Sequence, residues 1–440
     1  MTRNTPPPRP GRKIAVIGSG AAALAAAWSL SRHHDVTIFE KNAHLGGHAN
    51  TVDVTEPNGA KVAVDTGFIV YNQRTYPNLI RMFDHLAVST RATDMSFGVS
   101  LDDGAMEYSG ENLRGLFGQP VNLVRPRFLR MVADILRFYR NAPELLAQAE
   151  PGPSLGAYLK AHDYGEAFVN DHLLPMAAAI WSAPAAAMLD FPAISFVRFC
   201  SNHGLLQLAD RPQWRTVIGG SREYVRRLTA DTAHTARLNT AVLAIERGAG
   251  GAEIITAGGH RQTFDEVVIG SHADEALALL ARPSADERAV LGAFGYQENL
   301  AVLHGDAALM PKRRKLWASW NYMGRTGSDG ARRLCVGYWM NRLQSLTTER
   351  ALFVTLNPIA PPRPELVHAQ FVYHHPMFDA GAMAAQRRLG AIQGLDRVWF
   401  CGSYFGYGFH EDAFSSGLAA AAAMGSSAPW LGATAQRAAE

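Results

Sequence analysis

The residues best equipped for chemistry lie near the two ends of the chain. Close to the start, Gly18-Ser19-Gly20-Ala21-Ala22-Ala23 makes a GxGxxA turn. Gly18 permits the tight turn, Gly20 lets the main chain approach a pyrophosphate, and Ala23 is small enough for a helix to pack on a strand. The free N–H groups that open the helix at Ala21 and Ala22, and its positive dipole end, favour phosphate. Glu40 follows Gly18 by 22 residues, near the ~20 that separate such a turn from a ribose-binding acid. Close to the other end, the run Tyr404–Asp412 gathers aromatic and titratable side chains. His410 is the first candidate for acid–base work, because an ordinary imidazole titrates near pH ~6.5. Tyr407 and Glu411 are candidates beside it, and Glu411 and Asp412 are placed to orient it or to hold cofactor hydroxyls. The competing reading of His410 is a hydrogen-bonded structural histidine at a helix start. His374 and His375 precede Pro376 on an expected strand, Gln370–Tyr373; neighbours on a strand point to opposite faces, so at most one would face a pocket. No spacing of histidines or cysteines argues for a metal site.

These groups need elements to hold them. Lys13–Ile17 reads as a buried strand, followed by the glycine turn, a helix through about Ser31 and a strand Val36–Phe39 ending at Glu40. Val62–Phe68 reads as a strand running into a glycine turn, which Asp65 could cap through its own backbone. Gly219-Gly220-Ser221-Arg222 precedes a helix carrying Tyr224, Val225 and Leu228. Leu238–Val242 with Ala244–Ile245, then Glu253–Thr256 and Glu266–Ile269, read as strands. Val398–Cys401 is a last short strand, ending in Gly402-Ser403. Ser415-Ser416-Gly417 is expected to open an Ala-rich helix, Leu418–Met424.

One further pattern identifies a relative. Glu40, five residues beginning with Lys41, then Gly46-Gly47 resembles the FAD-binding pattern of the flavin-containing amine oxidase and phytoene desaturase superfamily. There a basic residue usually follows the glycine pair; here it is His48, whose charge depends on pH. The resemblance implies that Asp65, Gly67 and Phe68 pass near the flavin ring. It also implies that Val242 lies against the adenine, and that Gly402, Ser403, Asp412, Ser416 and Gly417 close the cofactor site. Relatives often carry an acid at the position of Ser403. The strings Asp65–Asn72, Trp181–Pro184, Trp214–Arg222, Ser319–Tyr322, Tyr373–Pro376 and Gly406–Asp412 resemble a bacterial subgroup described as predicted NAD/FAD-binding proteins and associated with fatty-acid modification. The implied fold class is α/β and amine-oxidase-like. A discontinuous Rossmann-like FAD-binding domain (12–75, 215–280 and 395–428) carries an inserted α+β substrate domain (76–214 and 281–394), with tails at 1–11 and 429–440. The implied cofactor is FAD. The implied activity is dehydrogenation of an apolar, fatty-acyl substrate, membrane phospholipid acyl chains among the candidates. Amine oxidation by oxygen, double-bond isomerisation and non-catalytic flavin binding are the rivals, because fold does not fix function.

Composition bounds the rest. The chain has 440 residues, 48% hydrophobic and 18% charged, with 42 Lys+Arg against 39 Asp+Glu. It can bury a large core, and its charge balance gives no footprint for nucleic acid. Three dispersed cysteines suggest a reducing, cytoplasmic setting. No Gly-x-Ser-x-Gly elbow, HExxH or Walker loop occurs, which disfavours hydrolase and phosphotransferase readings. Charge is uneven, however. Arg114, Arg125, Arg127, Arg130, Arg137 and Arg140 face a single acid in their stretch, Asp134. From Pro126 the stretch fits a helix, with Phe128, Val132, Ile135 and Tyr139 at helical spacing, joined by Leu129 and Leu136. Such a helix could lie on an anionic membrane, peripheral to the inner membrane. The alternative is an ordinary core helix. Pro311–Lys315 reads as a solvated basic loop.

Overall fold

The computed structural model describes residues 11–148, 152–181, 187–208, 210–328 and 332–430. Its nucleotide-type half is built on a five-stranded sheet, ordered Thr235–Arg237, Asp35–Phe39, Lys13–Ile17, Glu266–Ile269, Val398–Phe400. All four pairings are parallel. A parallel sheet is covered on both faces, and the central strands are accordingly apolar runs buried almost end to end. Ile17 aligns with Phe39 on one side and Ile269 on the other, so the carboxyl ends of these strands meet in one crevice. Every residue of the helix Ala21–Leu30 is buried, as a helix hydrophobic all round must be. It packs closely on the last helix, His410–Ala423. A Cβ on Gly417 would collide with the carbonyl oxygen of Ala22, so the contact requires glycine there.

The second half centres on a seven-stranded sheet, ordered Val367–Pro376, Tyr296–His304, Phe353–Leu356, Arg332–Trp339, Trp320–Thr326, Phe97–Leu101, Met106–Ser109. Its pairings are antiparallel except that of Trp320–Thr326 with Phe97–Leu101. Helices Pro126–Asn141, Leu174–Trp181 and Ala193–Asn202 belong to the same apolar core. A three-stranded meander, Val242–Gly248, Gly251–Thr256 and Arg261–Phe264, and a hairpin, Thr51–Thr55 with Lys61–Asp65, form separate small antiparallel sheets.

Several sequence expectations change. The last helix begins at His410 rather than Leu418, so Ser416 and Gly417 lie inside it and do not open it. The strand expected over Leu238–Val242 is interrupted, because Asn239 takes a left-handed φ of 50° between Arg237 and Val242. The strand Trp214–Val217 pairs with both Tyr71–Asn72 and Thr90–Thr93. The expected domain borders at 75/76 and 214/215 therefore cut through one small sheet. Trp430, placed in an expected tail, stacks on Trp28 with ring centroids 5.4 Å apart. Residues 1–10 and 431–440 of the tails, and residues 182–184 of the Trp181–Pro184 string, lie outside the described residues. The basic helix forms as expected from Pro126, but its buried stripe is Phe128, Met131, Ile135 and Phe138, while Leu129 and Leu136 stay exposed. Among the described residues no helix is long and apolar enough to cross a membrane.

Candidate functional site

The carboxyl ends of the parallel strands open into a cavity of about 1280 Å3. That is larger than most single-ligand sites, which reach ~1,000 Å3. At one end lie Gly18, Gly20, Ala21, Ala22, Glu40 and Lys41. The helix Ala21–Leu30 starts there with no side-chain cap, leaving its first amides for a ligand. Ser19 Oγ donates to Glu40 Oε2 (2.5 Å), and Asn42 N donates to Glu40 Oε1 (2.8 Å). These bonds fix the acid at the strand end. Lys41 pairs with Glu275 at 3.0 Å. Gly47, His48, Gly67, Phe68, Val242, Gly402 and Ser403 line the same cavity. Gly67 must be glycine, since a Cβ would strike the carbonyl oxygen of His48.

Other expected site residues hold the frame instead of facing the cavity. Ala23 packs under Gly270 of the neighbouring strand end. Gly46 N donates to Ser19 O (3.0 Å), pinning its loop to the turn. Asp65 is wholly buried and accepts from Thr51 Oγ1 (2.6 Å), Ser221 N and Oγ (2.8 Å each) and Gln344 Nε2 (2.8 Å). Burial pushes its carboxyl up to about 6, against those hydrogen bonds. Ser416 Oγ accepts from Gly402 N (2.9 Å) and so ties the closing strand to the helix.

The acid–base cluster at His410 is rearranged in the same way. Glu411 turns from the cavity and accepts from Asn78 N and Leu79 N (3.0 Å each), capping the helix Pro77–His85. Asp412 accepts from Tyr407 N (3.0 Å) and Phe409 N (2.9 Å), and burial pushes its carboxyl up to about 6. Neither carboxylate orients His410. The imidazole lies flat on Phe68, ring centroids 3.7 Å apart, with Nε2 2.6 Å from Tyr224 Oη. Burial drives its pKa down to about 3, so at neutral pH it is neutral and clamped. Tyr407 lines the cavity nearby.

Sequence reasoning named His48 and His375 as candidates but missed the cavity residues His272, His172, Met176, Ile180, Phe199 and Arg211. His48 meets Tyr373, His375 and His272 at ring distances of 4.8, 5.6 and 6.2 Å. Burial and then the neighbouring imidazoles hold His48 well below its ordinary pKa. Its Nε2 is buried and bonds to nothing among the described residues. His375, of the His374–His375 pair, is likewise driven by burial to about 4. Tyr373 Oη joins Asn50 Nδ2 (2.9 Å) and Thr66 Oγ1 (2.8 Å) beneath them. Farther in, Tyr108 Oη gives its one proton to Asp171 O (2.9 Å) and lies 3.0 Å from His172 Nδ1. In the tautomer in which Nδ1 donates to Tyr108 Oη, the lone pair of His172 sits on Nε2, which is buried and unpaired among the described residues. His172 lines the cavity together with Met176, Ile180, Trp181, Phe199 and Trp320. Arg211 also lines it, donating from Nε to Gln207 O and pairing with no carboxylate among the described residues. His48 was readable from its place after the glycine pair and His375 from its place on an expected strand; the missed residues depend on contacts between distant segments.

Comparison with known proteins agrees with this geometry. Residues 16–86 match the family model of the NAD(P)-binding Rossmann-like domain. The chain is 31% identical over 102 residues to a flavin-containing monooxygenase, FMO GS-OX-like 7, of Arabidopsis thaliana. That match covers 23% of this chain and 21% of the plant protein, so the chain spans about a fifth of that relative. Among solved structures, the fatty acid isomerase of P. acnes that produces CLA aligns with TM-score 0.64 and 16% identity, covering 92% of this chain and 97% of that one. Putrescine oxidase bound to putrescine aligns with TM-score 0.66 and 16% identity over 94% and 99%. Cyclohexylamine oxidase of Brevibacterium oxydans gives 0.63 and 15% over 94% and 99%. The chain therefore has the amine-oxidase-like fold, with a Rossmann-like domain at its start.

Proposed function

We propose that this chain is an FAD-dependent oxidoreductase that dehydrogenates an apolar, fatty-acyl substrate. The observation that carries the reading is the cavity: one end is built for a dinucleotide, and it continues into an apolar arm beside His172. The residues fit FAD, since an uncapped helix N-terminus and Glu40 stand at the two positions a dinucleotide needs. Gly18, Gly20, Ala21, Ala22 and Glu40 would hold it, with Gly47, His48, Gly67, Val242, Gly402 and Ser403 around it. Bound FAD supplies a hydride acceptor.

The chain's own residues do the rest. Met176, Ile180, Phe199 and Trp320 exclude water from the acyl chain. Arg211 offers its guanidinium to a carboxylate head. Dehydrogenation releases one hydride and one proton from adjacent carbons. The proton goes to the Nε2 lone pair of His172, which burial keeps neutral by lowering its pKa to about 4. His410 positions Phe68 and takes no proton.

A second reading is isomerisation, in which the hydride returns to another carbon of the same substrate. It is favoured by likeness of fold to a fatty acid isomerase. Anaerobic titration tests both. Loss of the flavin's visible absorbance on adding an unsaturated fatty acid, but not amines, is the expected result. A product of unchanged mass with a shifted double bond selects isomerisation. Bleaching by amines alone overturns the acyl reading.

A further inference from the structure

The large exposed aliphatic side chains are unevenly distributed. Leu113 (73% exposed), Val121, Leu123, Val124 (75%), Leu129 and Leu136 all fall within one stretch of chain. Three features bring them to one side of the molecule. Arg125 Nη1 and Gln119 Nε2 both donate to Ala105 O. Arg313 Nη1 donates to Gly104 O (3.1 Å), so the Gly104–Ala105 turn joins the 119–125 segment to the basic loop Lys312–Lys315. Phe117 packs on Phe128, ring centroids 6.0 Å apart, which fastens the Leu113 segment to the helix Pro126–Asn141. Leu129 and Leu136 stand seven residues apart on one side of that helix.

The acids in and beside these segments are paired, and the charges left unpaired on the segments are positive. Arg127, Arg137 and Arg313 are committed to Asp171, Asp134 and Glu107. Arg114, Arg125, Arg130, Lys312, Arg314 and Lys315 pair with no carboxylate among the described residues. Exposed aliphatic side chains interleaved in sequence with unpaired cations match the interfacial region of an anionic bilayer. Apolar groups enter the acyl boundary, and cations meet phosphate. A second copy of this chain would bring like charges face to face across a twofold axis.

We propose that Leu113, Val121–Val124 and the exposed side of Pro126–Asn141, together with Lys312–Lys315, form a docking surface for anionic phospholipid membranes. The exposed aliphatics and cations of this surface line no part of the cavity, so the surface stands or falls apart from the redox reading. Gly110 and Glu111 do line the cavity, two residues from Leu113, so a docked molecule holds part of the cavity rim near the lipid.

The test is flotation of the full-length protein with phosphatidylcholine vesicles, with and without phosphatidylglycerol, at low and high salt. Binding only to the phosphatidylglycerol vesicles, weakened by salt, is expected. Leu123→Glu with Val124→Glu should weaken it by roughly tenfold or more, and Lys312→Glu with Lys315→Glu should abolish the preference for phosphatidylglycerol. Because these side chains are exposed, Tm should not change. Should a charged variant fail to fold, Val124→Trp gives an independent readout: a blue-shifted emission on binding, quenched by brominated lipid. Equal binding to both vesicles, no binding, or an unshifted tryptophan overturns the proposal. So does light scattering that detects a dimer dissociated by Val124→Glu.

Discussion

Asp65 and Glu40 are both acids at strand ends, yet they do different work. Asp65 is sealed among four donors that join the Thr51 strand, the Ser221 turn and Gln344. Asp65→Ala leaves those buried donors unpaired and should cost about 2–4 kcal/mol, read as a lower denaturation midpoint. Glu40 faces the cavity. Glu40→Ala leaves Ser19 Oγ and Asn42 N without their acceptor and should cost about 1–3 kcal/mol; it should also weaken FAD binding roughly tenfold, measured by quenching of flavin fluorescence under conditions where the variant is folded. Its signal was readable in sequence, because the acid sits at a fixed distance from a turn. His410 was readable only as a type of residue. That it stacks on Phe68 and meets Tyr224 follows from side chains far away in sequence. Its imidazole should remain neutral from about pH 5 to 8, seen in ring nitrogen shifts. A titration near the ordinary histidine pKa would refute the clamp.

At the scale of elements, the decisive contact is between the first and last helices. Alanine and glycine let their backbones approach, and Ser416 ties the second helix to the closing strand. Gly417→Val should drive the two helices apart, with loss of about 1–3 kcal/mol or more and loss of retained flavin in the purified protein. The small-residue composition of both segments could be read from the chain. The start of the last helix could not, because its first turn, His410–Asp412, carries polar groups whose partners lie in the Pro77–His85 helix and in their own loop. The basic helix teaches the same lesson. Its periodicity was legible, but two nearby stripes competed, and packing against Phe117 and Tyr164 selected the one with Phe128 and Phe138.

For the molecule as a whole, buried imidazoles set the response to acid. His172, His203, His304 and His375 are held at about 4, and His410 at about 3, against an ordinary 6.5, each chiefly by burial. Folding excludes protons from them. Their stability is fully present above pH 6.5 and is lost as the pH falls toward 4. Asp65 and Asp412, raised to about 6, act the other way and favour the fold below that pH. Five groups against two predict a Tm that falls between pH 7 and 5, measurable by calorimetry; a Tm that rises over that range would contradict the burial of the histidines.

Local pattern by itself determined the dinucleotide turn, its acid and most of the parallel strands, because each depends on residues within a few turns of one another. That three separated segments share one site was implied by the resemblance to the flavin superfamily, not by local pattern. The tertiary structure decided which titratable groups reach the cavity. Glu411 and Asp412 were drawn to unpaired amides, His410 was immobilised, and His48 and His172 were left with Nε2 atoms that have no partner among the described residues. The reason is physical: a buried polar group goes to its nearest unsatisfied partner, and that partner is set by how distant segments pack.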